Sequence, residues 1–350
     1  MNNPFLYIIP LLFSFKTMGM NLDNFCKQAQ TERNLSKMAL KYNGRYKIRV
    51  KSAQEKFPSY KFKYYRGCYH DIPWMDQVYN SLCKDGQAND NISLANIDNV
   101  VLPKVLAFAF AGAGDFNAVE AKNAINPVNI RGFEGNDFTG HALSLPLMSK
   151  VFRNRDKSVQ LSYYSSSGFH QNQSYNSALA CIQQTHSYLE AMEQITGKAP
   201  SLKWAFIGYS NGGAHAIDLQ NELAKMDIGA DLVFTVDPVV QTVFFPFHTI
   251  KDEIGMRNAR TKVFINYYQR NDFFSLPPLM LRGKPVPGAD FNYNVTENEH
   301  LAPSGFKNHN LIVGLEMIAR RAKCEFNKLI DKDCTEEDFE NKEDFENEDI

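Results

Sequence analysis

The chain has 350 residues, 44% of them hydrophobic and 13% aromatic, enough for one large packed domain with decorations or for two domains. Its formal net charge of −1 is unevenly spread: residues 331–350 hold eleven acids against two lysines, a net −9, which leaves +8 on residues 1–330. This composition excludes a disordered chain. Without a concentrated basic and aromatic stripe it also makes no case for nucleic-acid binding, and the mildly basic body reads as spread-out solubilising lysines.

Residues 5–15 (FLYIIPLLFSF) form an apolar run containing Pro10 and followed by Lys16. The run is too short to span a bilayer as a helix and fits the apolar region of a secretory signal. Residues 1–20 are therefore expected to be a signal peptide and the protein to be secreted or periplasmic, although Met1–Pro4 carries no basic side chain and the cleavage pattern is poor. Six cysteines (Cys26, Cys68, Cys83, Cys181, Cys324, Cys334) contain no C-x-x-C spacing. That excludes the usual zinc and redox patterns and permits one to three disulfides in an exported chain. Cys68 and Cys83 are the first pairing to expect, and Cys181 reads as a buried helical thiol.

Residues 21–99 read as a polar lead-in packed on the core, with a strand over 46–50, a short helix over 73–82 and a turn-rich connector over 85–99. The core begins at residue 100. Val100–Phe110 predicts a buried strand that runs into the small-residue loop Ala111-Gly112-Ala113-Gly114-Asp115. Residues 116–150, with Gly132, Gly135 and Gly140 among apolar positions, suit a flap or lid. Val159–Tyr164 predicts a strand and residues 174–195 a helix, from Tyr175, Leu179, Ile182, Leu189 and Met192 at helical spacing.

Residues 201–213 read SLKWAFIGYSNGG. Leu202–Ile207 is almost wholly apolar, as for a strand buried on both faces of a parallel sheet. It ends in the G-x-S-x-G pattern Gly208–Gly212, and a helix is expected from Ala214. By chance the bare pattern turns up in roughly one chain in ten of this length, so the flanking strand and helix carry the argument. Strand, sharp Gly-flanked turn and helix are what a nucleophile elbow needs to lift the Ser210 hydroxyl above the sheet.

Asp231–Val236 predicts the next strand, ending in Asp237-Pro238, and Thr261–Tyr268 the one after, followed by Gln269-Arg270-Asn271-Asp272. Asn308 would cap a last helix carrying Leu311, Leu315, Ile318 and Ala322. Strands alternating with helices at this interval argue for an α/β protein with a mostly parallel sheet and helices on both faces. An activated serine needs a base and an orienting carboxylate at the carboxyl ends of such strands. By position two acids qualify, Asp237 after the strand that follows the elbow and Asp272 one strand later. The base is His309, mounted at a helix start, with His300 as the alternative. The order Ser, Asp, His is that of the α/β-hydrolase arrangement.

Together these residues resemble bacterial α/β-hydrolase-fold, lipase-like proteins. The resemblance is carried by the elbow, by Asp237-Pro238-Val239, by Asn266-Tyr267-Tyr268-Gln269, by Gly288-Ala289-Asp290 with Asn292, and by His309 before a helix. It covers roughly residues 100–325, leaving 326–350 as an acidic, disordered tail in which Glu-Asp-Phe-Glu-Asn occurs twice. It implies the α/β-hydrolase fold and makes the Asp-Pro pair similar to the triad acid of pancreatic-type lipases, which selects Asp237 as the acid and leaves Asp272, where many other hydrolases carry theirs, as the alternative. Two departures are Asn211 where many relatives carry Leu or Met, and an Ala111-Gly112 start to the loop that usually begins His-Gly.

The activity so implied is hydrolysis of a small-molecule or lipid ester. Ser210 attacks, His309 and Asp237 act as base and orienter, and an oxyanion hole forms from the backbone N–H of Asn211 with one from Gly112 or Ala113. No metal or cofactor is expected. Residues 243–247 and 273–281 fit equally an acyl pocket, a lipid-facing rim in transient contact with a membrane surface, or ordinary loop packing. An acyltransferase or thioesterase on the same triad, and an inactive hydrolase-fold binding protein, are the rival readings.

Overall fold

The computed structural model describes residues 21–41, 74–110, 112, 147, 151–152, 156–164, 171–239, 241–244, 247–250, 255–270, 283–296, 312 and 315–334. The strand expected over 46–50, the flap over 116–150 apart from Leu147, the signal over 1–20 and the end of the tail lie outside these residues.

The frame is a six-stranded sheet, parallel throughout. In chain order its strands are β3 (Val105–Phe110), β4 (Val159–Tyr164), β5 (Lys203–Tyr209), β6 (Leu232–Val236), β9 (Val263–Tyr268) and β10 (Phe291–Asn294). Their spatial order is β10-β9-β6-β5-β3-β4. Two short hairpins stand apart, β1 (Cys83–Lys84) with β2 (Gln87–Ala88) and β7 (Gln241–Phe244) with β8 (Phe247–Ile250).

Side chains alternate across a strand with period two, so a sheet covered on both faces must be apolar at both parities. In β3, Leu106, Phe108 and Phe110 enter one core while Val105, Ala107 and Ala109 enter the other. The same division runs through β5, where Trp204 and Phe206 face one way and Ala205, Ile207 and Tyr209 the other. The first core is aromatic, with Phe108 stacked on Phe206 at 5.5 Å and on Trp204 at 6.2 Å between ring centroids. It is closed by α1 (Leu22–Lys41), α2 (Trp74–Leu82), α4 (Gln171–Thr196) and α5 (Asn211–Lys225), with Ile97 of the short α3 (Leu94–Asp98). The second core is closed by α6 (Glu316–Leu329) together with Leu147, Val151 and Phe152.

The lead-in holds elements that the sequence reading missed: the β1–β2 hairpin, the short α3 and, most consequentially, α1. Helix α1 is largely polar, and over its residues 22–34 those buried are Phe25, Cys26, Ala29 and the charged Glu32 and Arg33. Its start is nonetheless marked: the Asn21 carboxamide oxygen accepts the N–H groups of Asp23 and Asn24 at 3.0 and 3.2 Å, an N-cap with Asp23 in the first turn.

This helix overturns the expected cysteine pairing. Cys83 joins Cys26, not Cys68, because α1 lies against the α2–β1 junction. Cys324 joins Cys334. Cys181, expected as a buried thiol, is buried on α4 but disulfide-bonded.

Two boundaries also shift. Of the helix expected from Asn308, Ile312 is helical and α6 runs from Glu316, while residues 308–311 and 313–314 lie outside the described residues. Leu315 is extended there (φ −66, ψ 120), so Ile312, Leu315, Ile318 and Ala322 reach one core across a break. The chain then stays packed past residue 325, with Lys332 on Asp156 at 2.9 Å and the disulfide closing at Cys334. Among the described residues no helix is long and apolar enough to cross a membrane.

Candidate active site

The chain builds β3, goes outward to β4, then returns past β3 to lay down β5 and continues to β10 on the other side. The direction of strand order therefore reverses between β3 and β5. In open parallel sheets the crevice at the carboxyl ends of the strands flanking such a reversal is where ligands bind. Ser210 ends β5 there, and Gly112 stands just beyond the end of β3.

Ser210 holds φ 55 and ψ −127, a conformation that L-residues rarely adopt, and it is 7% exposed. The turn is held from both sides. Ser210 N–H donates to Val236 O at 3.0 Å, while Ser210 O accepts from Gly213 and Val239 N–H at 2.9 and 3.1 Å. The helix expected from Ala214 starts already at Asn211, because the turn closes tightly enough to bring Gly212 and Gly213 into its first turn. That closure needs the glycines: a Cβ on Gly208 would overlap the Gly212 carbonyl, and one on Gly213 would lie 2.9 Å from Pro238 Cβ. On the β3 side, a Cβ on Gly112 would lie 3.1 Å from Ser210 Cβ and 2.9 Å from the Tyr209 ring.

Serine at the start of a helix usually earns its place by capping. Here the Ser210 side chain makes no cap hydrogen bond to α5. The hydroxyl thus stands at the positive end of a 15-residue helix without serving it. Asn211 and His215, one turn apart, pair through Nδ2 and Nε2 at 3.1 Å. His215 meets the rings of Tyr175 and Phe110 at 5.6 and 6.3 Å between centroids, so it packs behind the elbow. Burial first, then the charges of Glu222 and Asp218, push the Tyr175 phenol well above its ordinary range.

Asp237 follows β6, the neighbour of β5, at φ 47 and 0% exposure. Its N–H donates to Tyr267 O at 2.6 Å. Its carboxylate accepts the Gln269 N–H at 3.0 Å on Oδ1 and Gln269 Nε2 at 2.9 Å on Oδ2. Gly283 closes another side, since a Cβ there would overlap Oδ1 outright and come within 2.7 Å of Cγ. A polar ladder holds that loop in place. Thr235 Oγ1 donates to Asn266 Oδ1, and Asn266 Nδ2 donates to Lys284 O and Asn292 Oδ1, each at 2.9 Å. Asp290 accepts Phe264 N–H at 2.8 Å and pairs with Arg257 at 2.7 Å, so the Gly288–Asn292 texture serves the β9–β10 junction.

The structure brings Ser210, Asn211, Gly112 and Asp237 to one edge of the sheet. His309, His300, Asp272 and Ala113 lie outside the described residues. Gln269 and Gly283 were missed in the sequence. Gln269 stood in view after the Asn266-Tyr267-Tyr268 strand, but only the β6–β9 pairing reveals what it faces. Among the described residues no group of three or more metal-ligating side chains gathers. No protein-family model matches the chain, and no curated protein matches it.

Proposed function

We propose that the protein is a serine hydrolase of the α/β-hydrolase fold that cleaves carboxylic esters through an acyl-enzyme. One observation carries the reading: a non-glycine residue held at φ 55 and ψ −127 at the topological reversal of a parallel sheet, its hydroxyl not spent on capping. Strain of this kind costs about 1–3 kcal/mol and persists where the surroundings over-determine it, which is common at reactive residues.

In this reading Ser210 Oγ attacks the ester carbonyl and passes its proton to the base, His309, with His300 as the alternative. Asp237 orients the imidazole, a role for which its burial beside the β5 turn suits it; Asp272 is the alternative acid. The N–H of Asn211, at the positive end of α5, and one from Gly112 or Ala113 stabilise the oxyanion. The base returns the proton to the leaving alkoxide, and water repeats the sequence to release the acid. The disulfides Cys26–Cys83 and Cys324–Cys334 favour an oxidising compartment, in line with export.

The test is hydrolysis of p-nitrophenyl esters from acetate to palmitate by wild type and Ser210→Ala, with a fluorophosphonate label mapped by mass spectrometry. The reading expects label on Ser210 and turnover lost in the variant, and the chain-length profile sizes the acyl pocket. Equal rates for the two proteins and no label would end it.

A further inference from the structure

We infer that Gln269 is the positioning residue of the acid: it fixes the plane in which the Asp237 carboxylate meets the base. The inference rests on the reading of Asp237 as the triad acid.

Its ground is that one residue grips both carboxylate oxygens. The Gln269 backbone N–H reaches Oδ1 at 3.0 Å and its side-chain Nε2 reaches Oδ2 at 2.9 Å, with both residues 0% exposed. A carboxylate held through one oxygen swings about that bond, whereas one held through both has its plane set. Rotation the other way is closed by Gly283, whose backbone leaves no room for even a methyl group beside Oδ1.

The grip is itself anchored. The Gln269 main chain leaves β9 where Asp237 N–H binds Tyr267 O, and the next residue, Arg270, donates its N–H to Thr296 Oγ1 at 2.7 Å. Gln269 is thus pinned between the ends of β6 and β10. Gln269 holds one acceptor direction on each carboxylate oxygen, so an imidazole N–H that meets this carboxylate does so in a plane already set. Orientation matters because a misplacement of about 1 Å at a reacting group costs on the order of a hundredfold in rate.

Two substitutions test this, read by p-nitrophenyl butyrate turnover and by the rate of fluorophosphonate labelling from pH 5 to 9, with Ser210→Ala alongside. Gln269→Leu keeps the backbone donor and loses the side-chain one. Its kcat should fall about ten- to a hundredfold with little change in KM, and labelling should slow in parallel.

Gln269→Glu is nearly isosteric. Its carboxyl can donate to Asp237 while protonated and repels it once ionised. Its activity should therefore approach that of wild type at low pH and fall as pH rises, an added limb absent from wild type and from Gln269→Leu. A side chain that only stabilises the fold gives no such limb in protein shown folded by circular dichroism.

Wild-type rates and pH profiles in both variants, with Ser210→Ala inactive, overturn this inference and leave the serine hydrolase standing. Should Gln269→Leu not fold, the presence or absence of the added limb in Gln269→Glu decides. No label on wild type, or equal label on Ser210→Ala, overturns the hydrolase reading and this inference with it.

Discussion

The backbone N–H of Ser210 donates to the carbonyl oxygen of Val236 at 3.0 Å. The turn carrying the candidate nucleophile therefore hangs from the residue just before the candidate acid. The β5–β6 ladder runs up to this point, with Tyr209 opposite Val236, and both chains then leave the sheet through a non-glycine residue at positive φ. Val239 N–H returns to Ser210 O, and Pro238 packs where Gly213 has no side chain. The two strained residues are thus held by one shared set of contacts, and a change in one turn is expected to be felt in the other.

Ser210→Gly should give a dead but more stable protein. Glycine adopts φ 55, ψ −127 without the strain of about 1–3 kcal/mol, and returns about 0.5–1 kcal/mol of that as unfolded-state entropy. The net gain of roughly 1 kcal/mol raises the melting temperature by about 1–2 °C in a chain of 350 residues. Ser210→Ala keeps the strain and should not share the gain. A melting temperature for Ser210→Gly below that of wild type would show that the turn stores no strain.

Gly208→Ala should lose activity while leaving the hydroxyl chemically intact. The new methyl would lie 2.5 Å from Gly212 C and 2.7 Å from Gly213 N, all of it backbone that can yield only by opening the turn. Overpacking of this kind costs about 1–3 kcal/mol. The urea midpoint should drop with an unchanged slope, and fluorophosphonate labelling of Ser210 should fall along with it.

These turns were legible in the sequence because buried parallel strands are continuous apolar runs, and such runs end where the chain must bend. The strands β4, β5, β6 and β9 lie within two residues of their expected bounds, and Ser210 and Asp237 stand at the ends of two of them. Strand β10 was not legible. Its Phe291-Asn292-Tyr293-Asn294 is an edge strand, exposed at Phe291 and Asn292, with no apolar run to betray it. Helix α1 hid for the opposite reason, a polar stretch in which Phe25 is the one large apolar side chain among the described inward residues and the others are small or charged. Gln269 could not be found by any local rule, since a buried glutamine is defined by its neighbour across the sheet.

Removing Cys26–Cys83 should cost more than removing Cys324–Cys334. In the chain-entropy view, cross-links spanning 57 and 10 residues are worth about 4 and about 3 kcal/mol respectively. The first also fastens α1, with Phe25 and Ala29, to the aromatic core. Paired Cys→Ala variants compared by urea denaturation should rank in that order, and the reverse order would mean that α1 is held mainly by packing.

Stability should decline from acid to neutral pH through Glu32. This residue lies on α1 at 9% exposure, where burial raises its carboxyl from 4.5 to about 7 against the opposing hydrogen bonds of Gln28 and Gln184. The neighbouring Arg33 is engaged elsewhere, with Asp76 and Asn80 at 3.1 Å and over the Tyr79 ring at 4.0 Å. Between pH 4.5 and 7 the folded protein keeps a proton that the unfolded chain has released, so stability falls as pH rises. The contribution is full below about 4.5 and gone above about 7, a swing of up to roughly 3 kcal/mol. Glu32→Gln keeps the shape and the hydrogen bonding without the ionisation. It should match wild type near pH 4 and exceed it near pH 8, in urea melts taken at both values. Parallel pH dependence in the two proteins would mean that Glu32 keeps its charge when folded.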